Sequence, residues 1–368
     1  MSKIKVFSYR SLLFLKIYQI DNNSRLPSKY KFEFLSDRFR IFANMIRNIS
    51  IFVSFLLLLT ACEREVIIDV APISGKLVIV SNFSSGNALE RDSFMRVTVS
   101  RTAPALTQID TLINVPDAVV ELFLNNEDFK ERLQYQLPTP EEKLRGIQPY
   151  YTTRSFIPVA GEIYTLKVSA PNFTPVEATG FIPSTDAQSD AFITTSESVT
   201  TNGFVNVDYT LDLTIHDFPT VENFYHVNLY QFINLLRVSA AGDTARTEIV
   251  IGPLPFNLKD NNQEVLPYID NRGVLIKDDN FDGGSGNFVF EGNFLYNPNS
   301  EEVGDFVVEL RNTSRDYYLY HSSLARQVRV QSGFDAISGP VVLHNNIENG
   351  CGIFAGYSPV FTRLDLPN

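Results

Sequence analysis

The residues best placed to do chemistry lie in "DDNFDGGSGNFVFEG", 278–292. Counting Asp278 as first, Asn280 is third, Asp282 fifth and Gly283 sixth. That is the opening of a calcium loop, where alternate oxygens converge and glycine makes the sharp turn. Position twelve is Val289 instead of a bidentate glutamate, and Glu291 comes two residues late. Asp278, Asn280 and Asp282 are therefore a weak calcium candidate, and the preferred expectation is a polar hairpin turn with no metal. Ser285 sits in "GGSGN", where Asn287 stands in place of the last glycine of G-x-S-x-G. His216, His226, His321 and His344 are far apart, and no H-E-x-x-H or C-x-x-C occurs. No catalytic residue is assigned, no cofactor is expected, and the chain reads as non-catalytic.

The two cysteines differ. Ile49–Leu59 is apolar except for Ser50 and Ser54, with Arg47 before it and Ala61 after it. A basic start, a short apolar run and a small exit residue make a signal peptide, and the run is about half the ~20 residues of a membrane span. "LTAC", Leu59, Thr60, Ala61 and Cys62, resembles the lipobox of bacterial lipoproteins. That resemblance implies a diacylglycerol on the Cys62 sulfur and, after cleavage, an acyl chain on its amine. Met45 opens a signal peptide of ordinary proportions, so residues 1–44 are expected to be mis-annotated upstream sequence. With Cys62 lipidated, Cys351 has no disulfide partner; it is expected as a small buried side chain. His344 is its nearest histidine in sequence, and nothing ties the two together.

Charge narrows the partners. Residues 1–61 hold ten of the 31 basic and three of the 42 acidic residues, so the remainder carries 21 against 39, a net of −18. Such a body repels phosphate backbones, which argues against nucleic acid. Trp is absent, and Tyr and Phe at 16 and 29 serve a β core first, which weakens an aromatic sugar platform.

These residues must be held by strands. "VNVDYTLDLTI", 205–215, alternates apolar and polar throughout, as a half-buried strand does. Shorter runs such as "KLVIVSNF" (76–83), "AVVELFL" (118–124), "IYTLKVSA" (163–170), "DFVVELRN" (305–312), "PVVLHN" (340–345) and "GIFAGYSPVF" (352–361) repeat the pattern between turn signals. One helix is expected after "RNTS", with Thr313 as N-cap and Asp316 completing a capping box; Tyr317, Tyr320, His321 and Leu324 would face a sheet. The Ser/Thr/Asp-rich stretch 184–198 reads as a linker. The expected order is a signal peptide 45–61, a lipidated tether 62–72, an N-terminal β-sandwich 73–183, the linker 184–198 and a C-terminal β domain 199–368.

Taken in order, "GKLVIVSNF", "VTVSRTAPA", "VPDAVVELF", "AGEIYTLKVSAP", "HDFPTVENFYHVNLY", "DDNFDGGSG", "SRDYYLYHSSL" and "HNNIENGCGIFAGY" resemble a domain-of-unknown-function family of Bacteroidota outer-membrane lipoproteins. Phe224 stands where the family has Tyr, and Cys351 where it has a plain residue. The region from "VPDAVVELFL" to "AGEIYTLKVSA" is also similar to an immunoglobulin or transthyretin sandwich. The fold expected is all-β: that sandwich, then a larger β-sandwich or barrel-like domain with one short helix. The resemblance implies an accessory or binding partner of a TonB-dependent transporter, in nutrient uptake or envelope assembly. The protein would be anchored by lipid to the outer membrane, on a face left open; Glu63 and Glu65, with Arg64 between them, fit surface export loosely. The alternatives are a glycan- or protein-binding adhesin and, lower, a hydrolase.

Overall fold

The structure, a computed structural model, describes residue 45 and residues 75–365 except 86–94, 103–112, 185–186, 220, 239–243, 260–264, 333–338 and 340. The chain divides into two units, Met1–Ala71 and Pro72–Asn368, and every described strand lies in the second. The expected signal peptide beyond Met45, the lipobox Leu59, Thr60, Ala61 and Cys62, and the tether 62–72 lie outside the described residues.

The first half of the second unit contains β1 (Leu77–Ser84), β2 (Arg96–Arg101), β3 (Ile113–Asn114), β4 (Val119–Leu124), β5 (Asp128–Arg132), β6 (Gln134–Gln136), the short helix α1 (Pro140–Leu144), β7 (Tyr150–Thr152), β8 (Ile163–Ser169) and β9 (Val176–Phe181). Its second half contains β10 (Gln188–Val199), β11 (Val205–His216), β12 (Phe224–Val238), β13 (Thr244–Ile251), β14 (Phe256–Leu258), β15 (Val265–Pro267), β16 (Val274–Lys277), β17 (Ser285–Tyr296) and β18 (Glu301–Thr313). Helix α2 (Arg315–Gln331), β19 (Ile347–Glu348) and β20 (Cys351–Leu364) close it.

The strands form three sheets, and none closes into a barrel among the described residues. The long one runs β15-β16-β12-β18-β20-β1-β2-β7-β6, with β13 on β12 and β3 on β2. A four-stranded sheet, β10-β11-β17-β14, shares one core with the β12 and β18 part of it. Val207, Tyr209, Leu211, Leu213 and Ile215 of β11 point into that core with Phe288 and Phe290 of β17 and Phe306, Val308 and Leu310 of β18. A five-stranded sheet, β19-β9-β8-β4-β5, shares the other core with β1 and β2. There the Phe83 and Phe354 rings stack 4.4 Å apart. Fully burying such side chains stabilises by roughly 1.5–3 kcal/mol each before chain entropy is set against it.

Several local expectations meet a different structure. The stretch 184–198 is mostly strand: Gln188–Val199 is β10, an edge strand that turns Ala191 and Ile193 toward the core and Asp190, Thr194 and Ser196 outward. Linker composition and the solvent face of an edge strand look alike, because both are simply polar. The two cores do part there, with Ile182 in one and Ala187 in the other, but the chain's end crosses back: Ile347 and Phe354 join the first core because β19 pairs with β9 and β20 pairs in parallel with β1. "PVVLHN" is not a strand over 341–345. Its backbone is met by side chains: the His344 N–H donates to Ser323 Oγ at 3.0 Å. Asn346, just beyond, donates to the Phe354 carbonyl and accepts from the Phe354 N–H. The helix begins one residue late. Ser314 is the N-cap, accepting from the Tyr317 N–H, while Thr313 ends β18 and donates to the Phe224 carbonyl. Cys351 is unpaired and half-buried, not fully buried.

The seam between halves is tight. In the parallel register Gly352 faces Ile79, with φ +117°, and a Cβ there would lie 1.9 Å from the Ile79 carbonyl oxygen. Gly352→Ala is therefore expected to cost about 3 kcal/mol or more, from backbone strain plus overpacking. Urea melts of the variant should show the midpoint fall; an unchanged midpoint would mean the two strands do not approach this closely.

Candidate functional site

Two polar constellations outside the apolar cores offer chemistry. The first lies where the four-stranded sheet ends. β11 stops at His216 and β17 starts at Ser285, and antiparallel pairing sets these two opposite each other. Ser285 Oγ lies 3.0 Å from His216 Nδ1, and His216 Nε2 lies 2.8 Å from Asp190 Oδ2 of β10. Asp190 is an acceptor, so Nε2 carries the proton and Nδ1 is left to accept from the Ser285 hydroxyl. A hydroxyl on an imidazole whose far nitrogen is oriented by a carboxylate is nucleophile–base–orienter geometry. All three side chains reach solvent, His216 at 42 % and Asp190 at 85 %.

Directly beside it stand three carboxylates. Ligand oxygens of Asp217, Asp278 and Asp282 lie within 4.8 Å of one another. Two of the three come from the calcium-like loop, and Asp217 is added by the connection after β11; Asn280 is exposed. Glu291 lies far along β17 and pairs with Lys259. Asp217 already accepts from the Tyr225 hydroxyl and, at 2.9 Å, from the Gly283 N–H. Asp278 accepts from the Asn223 N–H at 2.6 Å. These bonds clasp the 217–223 connection to the 278–284 turn. Gly283 has φ +66°, and a Cβ there would meet Pro219 at 2.7 Å, so the clasp requires glycine. If a divalent cation bound this unit, these three carboxylates would be its ligands.

Burial raises the Asp278 carboxyl above its usual range, the Asn223 N–H opposes this, and the charge of Asp217 adds to it. A raised folded value means stability is complete at low pH and is lost as pH rises through that value. Asp278→Asn, which keeps an oxygen for Asn223, should gain on the parent in thermal midpoint as pH goes from 4 to 8. A variant melting below the parent only when calcium is present would make the trio a cation site instead.

The second constellation is buried under α2, on the opposite face of the long sheet. Glu309, 1 % exposed, accepts from Asn228 Nδ2, the Tyr230 hydroxyl and, at 2.8 Å, Arg311. Arg311 also donates to the Tyr317 hydroxyl, which lies 2.9 Å from His226 Nδ1. His321 Nδ1 meets the Tyr268 hydroxyl at 2.9 Å, and its Nε2 meets Asn82 Oδ1 at 3.1 Å. Tyr317 and His321 of the expected aromatic stripe thus face the sheet, as a packing helix requires. Burial, then the charge of Arg311, pushes the His321 imidazole down to about 3, and the same causes push His226 well below its usual value. Both are neutral at physiological pH and serve the fold.

The acid behaviour is a consequence. Below about pH 6.5 the unfolded chain binds protons that folded His226 and His321 refuse, so stability falls as pH drops, by about 1.4 kcal/mol per pH unit for each histidine. For His321 the loss continues down to about pH 3. His321→Gln should remove one proton from the slope of stability against pH between 6 and 4. At neutral pH it should cost about 1–3 kcal/mol for the broken buried bonds. Chemical denaturation at several pH values measures both.

Sequence spacing missed the surface relay because its members are 26 and 69 residues apart. The usable signal was the alternation: His216 ends one strand and Ser285 begins another.

Residues 63–363 match a family described as a domain of unknown function, DUF4249. The chain belongs to the DUF4249 family. No curated protein matches it. Among solved structures, it is similar to the B domain of a biofilm associated protein at 8 % identity and TM-score 0.15, covering 77 % of this chain and 85 % of that one. The T6 backbone pilin of serotype M6 Streptococcus pyogenes is similar at 9 % identity and TM-score 0.18, with 81 % and 65 % covered. The BSP domain of a biofilm associated protein is similar at 9 % and 0.14, with 78 % and 58 % covered. Scores this low carry no argument about arrangement or role.

Proposed function

We propose that this DUF4249 protein is a lipid-anchored component of a bacterial envelope that works by binding. Its place would be beside a TonB-dependent transporter at the outer membrane, as an accessory in nutrient uptake or envelope assembly. One observation carries the reading: the family match opens at residue 63, one residue past Cys62, and the compact unit opens at Pro72. A lipobox cysteine immediately ahead of the family domain is where an anchor would leave that domain whole. The acidic body would be repelled by anionic headgroups, so acyl chains must supply the attachment, at ~0.8 kcal/mol per buried methylene. For contacts, the outer face of the four-stranded sheet offers a polar cleft of about 500 Å³, lined by Thr194, Ser196, Asp208, Thr210, Asn257 and Glu291.

Fractionation tests the anchor. The parent should partition with membranes and take up a labelled fatty acid, whereas Cys62→Ser should be soluble and unlabelled. Membranes crosslinked before solubilisation should yield an outer-membrane transporter with the parent. Equal sedimentation of parent and variant would remove the anchor from this reading, and crosslinks that yield no transporter would remove the partner.

A further inference from the structure

We propose that Ser285, His216 and Asp190 form a surface hydrolytic centre for uncharged carboxylic esters. This goes beyond the binding role and departs from the expectation of a non-catalytic chain; it depends on neither the lipid nor the transporter.

The geometry assigns the roles. His216 Nδ1, 3.0 Å from Ser285 Oγ, is the base, and Asp190, 2.8 Å from Nε2, is the positioning residue that keeps the proton on the far nitrogen. Here Nδ1 serves the serine and Nε2 the carboxylate. The two nitrogens are chemically able to exchange these tasks, provided one is held as a donor. Three different strands hold the three groups: β10 carries Asp190, β11 ends at His216 and β17 starts at Ser285. The clasp between the 217–223 connection and the 278–284 turn fixes both residues that flank the reacting pair. The Asp217 N–H donates to the Gly284 carbonyl at 2.9 Å, and the Gly284 N–H donates to the Phe281 carbonyl at 2.7 Å. The serine is thus held at the exit of a tight glycine turn, on a rigid sheet end.

The surroundings select the substrate. Asp190, Asp217 and Asp282 stand at this end of the sheet and repel anionic acyl groups, so the ester is uncharged. The N–H groups of Gly283 and Gly284 are already committed to Asp217 and Phe281. An oxyanion therefore gains little help from the turn, which leaves amides out of reach and favours esters with a good leaving group. Exposed Phe192, on the same strand as Asp190, and exposed Phe218, two residues past His216, supply apolar surface for a short acyl chain.

The chemistry balances with water alone. Ser285 Oγ bonds to the carbonyl carbon and its proton passes to His216 Nδ1. The ester C–O bond then breaks and the leaving alcohol takes that proton. Water, deprotonated by the same nitrogen, cleaves the acyl-serine, releases the carboxylic acid and restores the hydroxyl.

The test uses the full chain purified in detergent, with p-nitrophenyl acetate as the ester and a fluorophosphonate as the trapping probe. The parent should turn over the ester and carry the probe on Ser285, located by peptide mass. Ser285→Ala should lose both while melting at the parent's temperature, since its side chain is exposed. His216→Gln should lower turnover and labelling about 100-fold. Asp190→Asn should lower kcat about tenfold with KM unchanged, and Asp190→Glu should recover part of it. Such a split and rescue would not arise from a merely structural carboxylate. Parent hydrolysis equal to that of Ser285→Ala, or a probe landing elsewhere, overturns the proposal.

Discussion

The fold depends on the parallel pairing of β1 with β20, two strands from opposite ends of the family domain. Parallel ladders are slightly weaker per residue than antiparallel ones and cannot be reached by a hairpin. This one is held by a backbone approach close enough to demand glycine at 352 and by side chains that bridge the same seam. Ser85 meets Ser358 at 3.1 Å, Phe83 stacks on Phe354, and Asn82 meets His321 of the covering helix. Without that pairing the long sheet is two shorter ones, and the core of the first half loses Phe354.

The buried polar layer depends on the same seam. Glu309 and Arg311 lie on β18, next to β20, and Arg311 sits over the Tyr357 ring at 4.6 Å. Burying these charges is costly; Glu309 is offset by Asn228, Tyr230 and Arg311, and Arg311 by Glu309 and the Tyr317 hydroxyl. The two histidines there look like chemistry in a sequence and behave as neutral hydrogen-bonding core side chains, because α2 and the sheet exclude water from both. Of the two histidines that reach solvent, the His344 ring meets only the Asp316 carboxylate among the described residues, while His216 has a hydroxyl on one nitrogen and a carboxylate on the other.

The end of the four-stranded sheet brings Asp190, His216 and Ser285 together beside Asp217, Asp278 and Asp282. It does so by register. A slip of one residue between β11 and β17 would turn Ser285 toward the core and Phe288 and Phe290 out to solvent. The clasp around Asp217 resists that slip, so the same carboxylates that resemble a calcium loop act here as the pin that sets the register.

Much of the fold class was legible in the residues. Period-two alternation such as that of 205–215 is local, and burial tracks it side chain by side chain. The ordered motifs pointed to a family of unknown function, and residues 63–363 belong to one. The helix after β18 was visible within one residue, because a cap and a buried stripe are properties of short spacing. Tertiary structure decided the rest. Whether a Ser/Thr/Asp-rich stretch is a linker or an edge strand depends on a partner strand, and β10 has one in β11. Which histidine is buried depends on what covers it. That Asp190, His216 and Ser285 meet depends on two strand registers, and hydrogen bonding between distant strands leaves no mark in the spacing of the residues it joins.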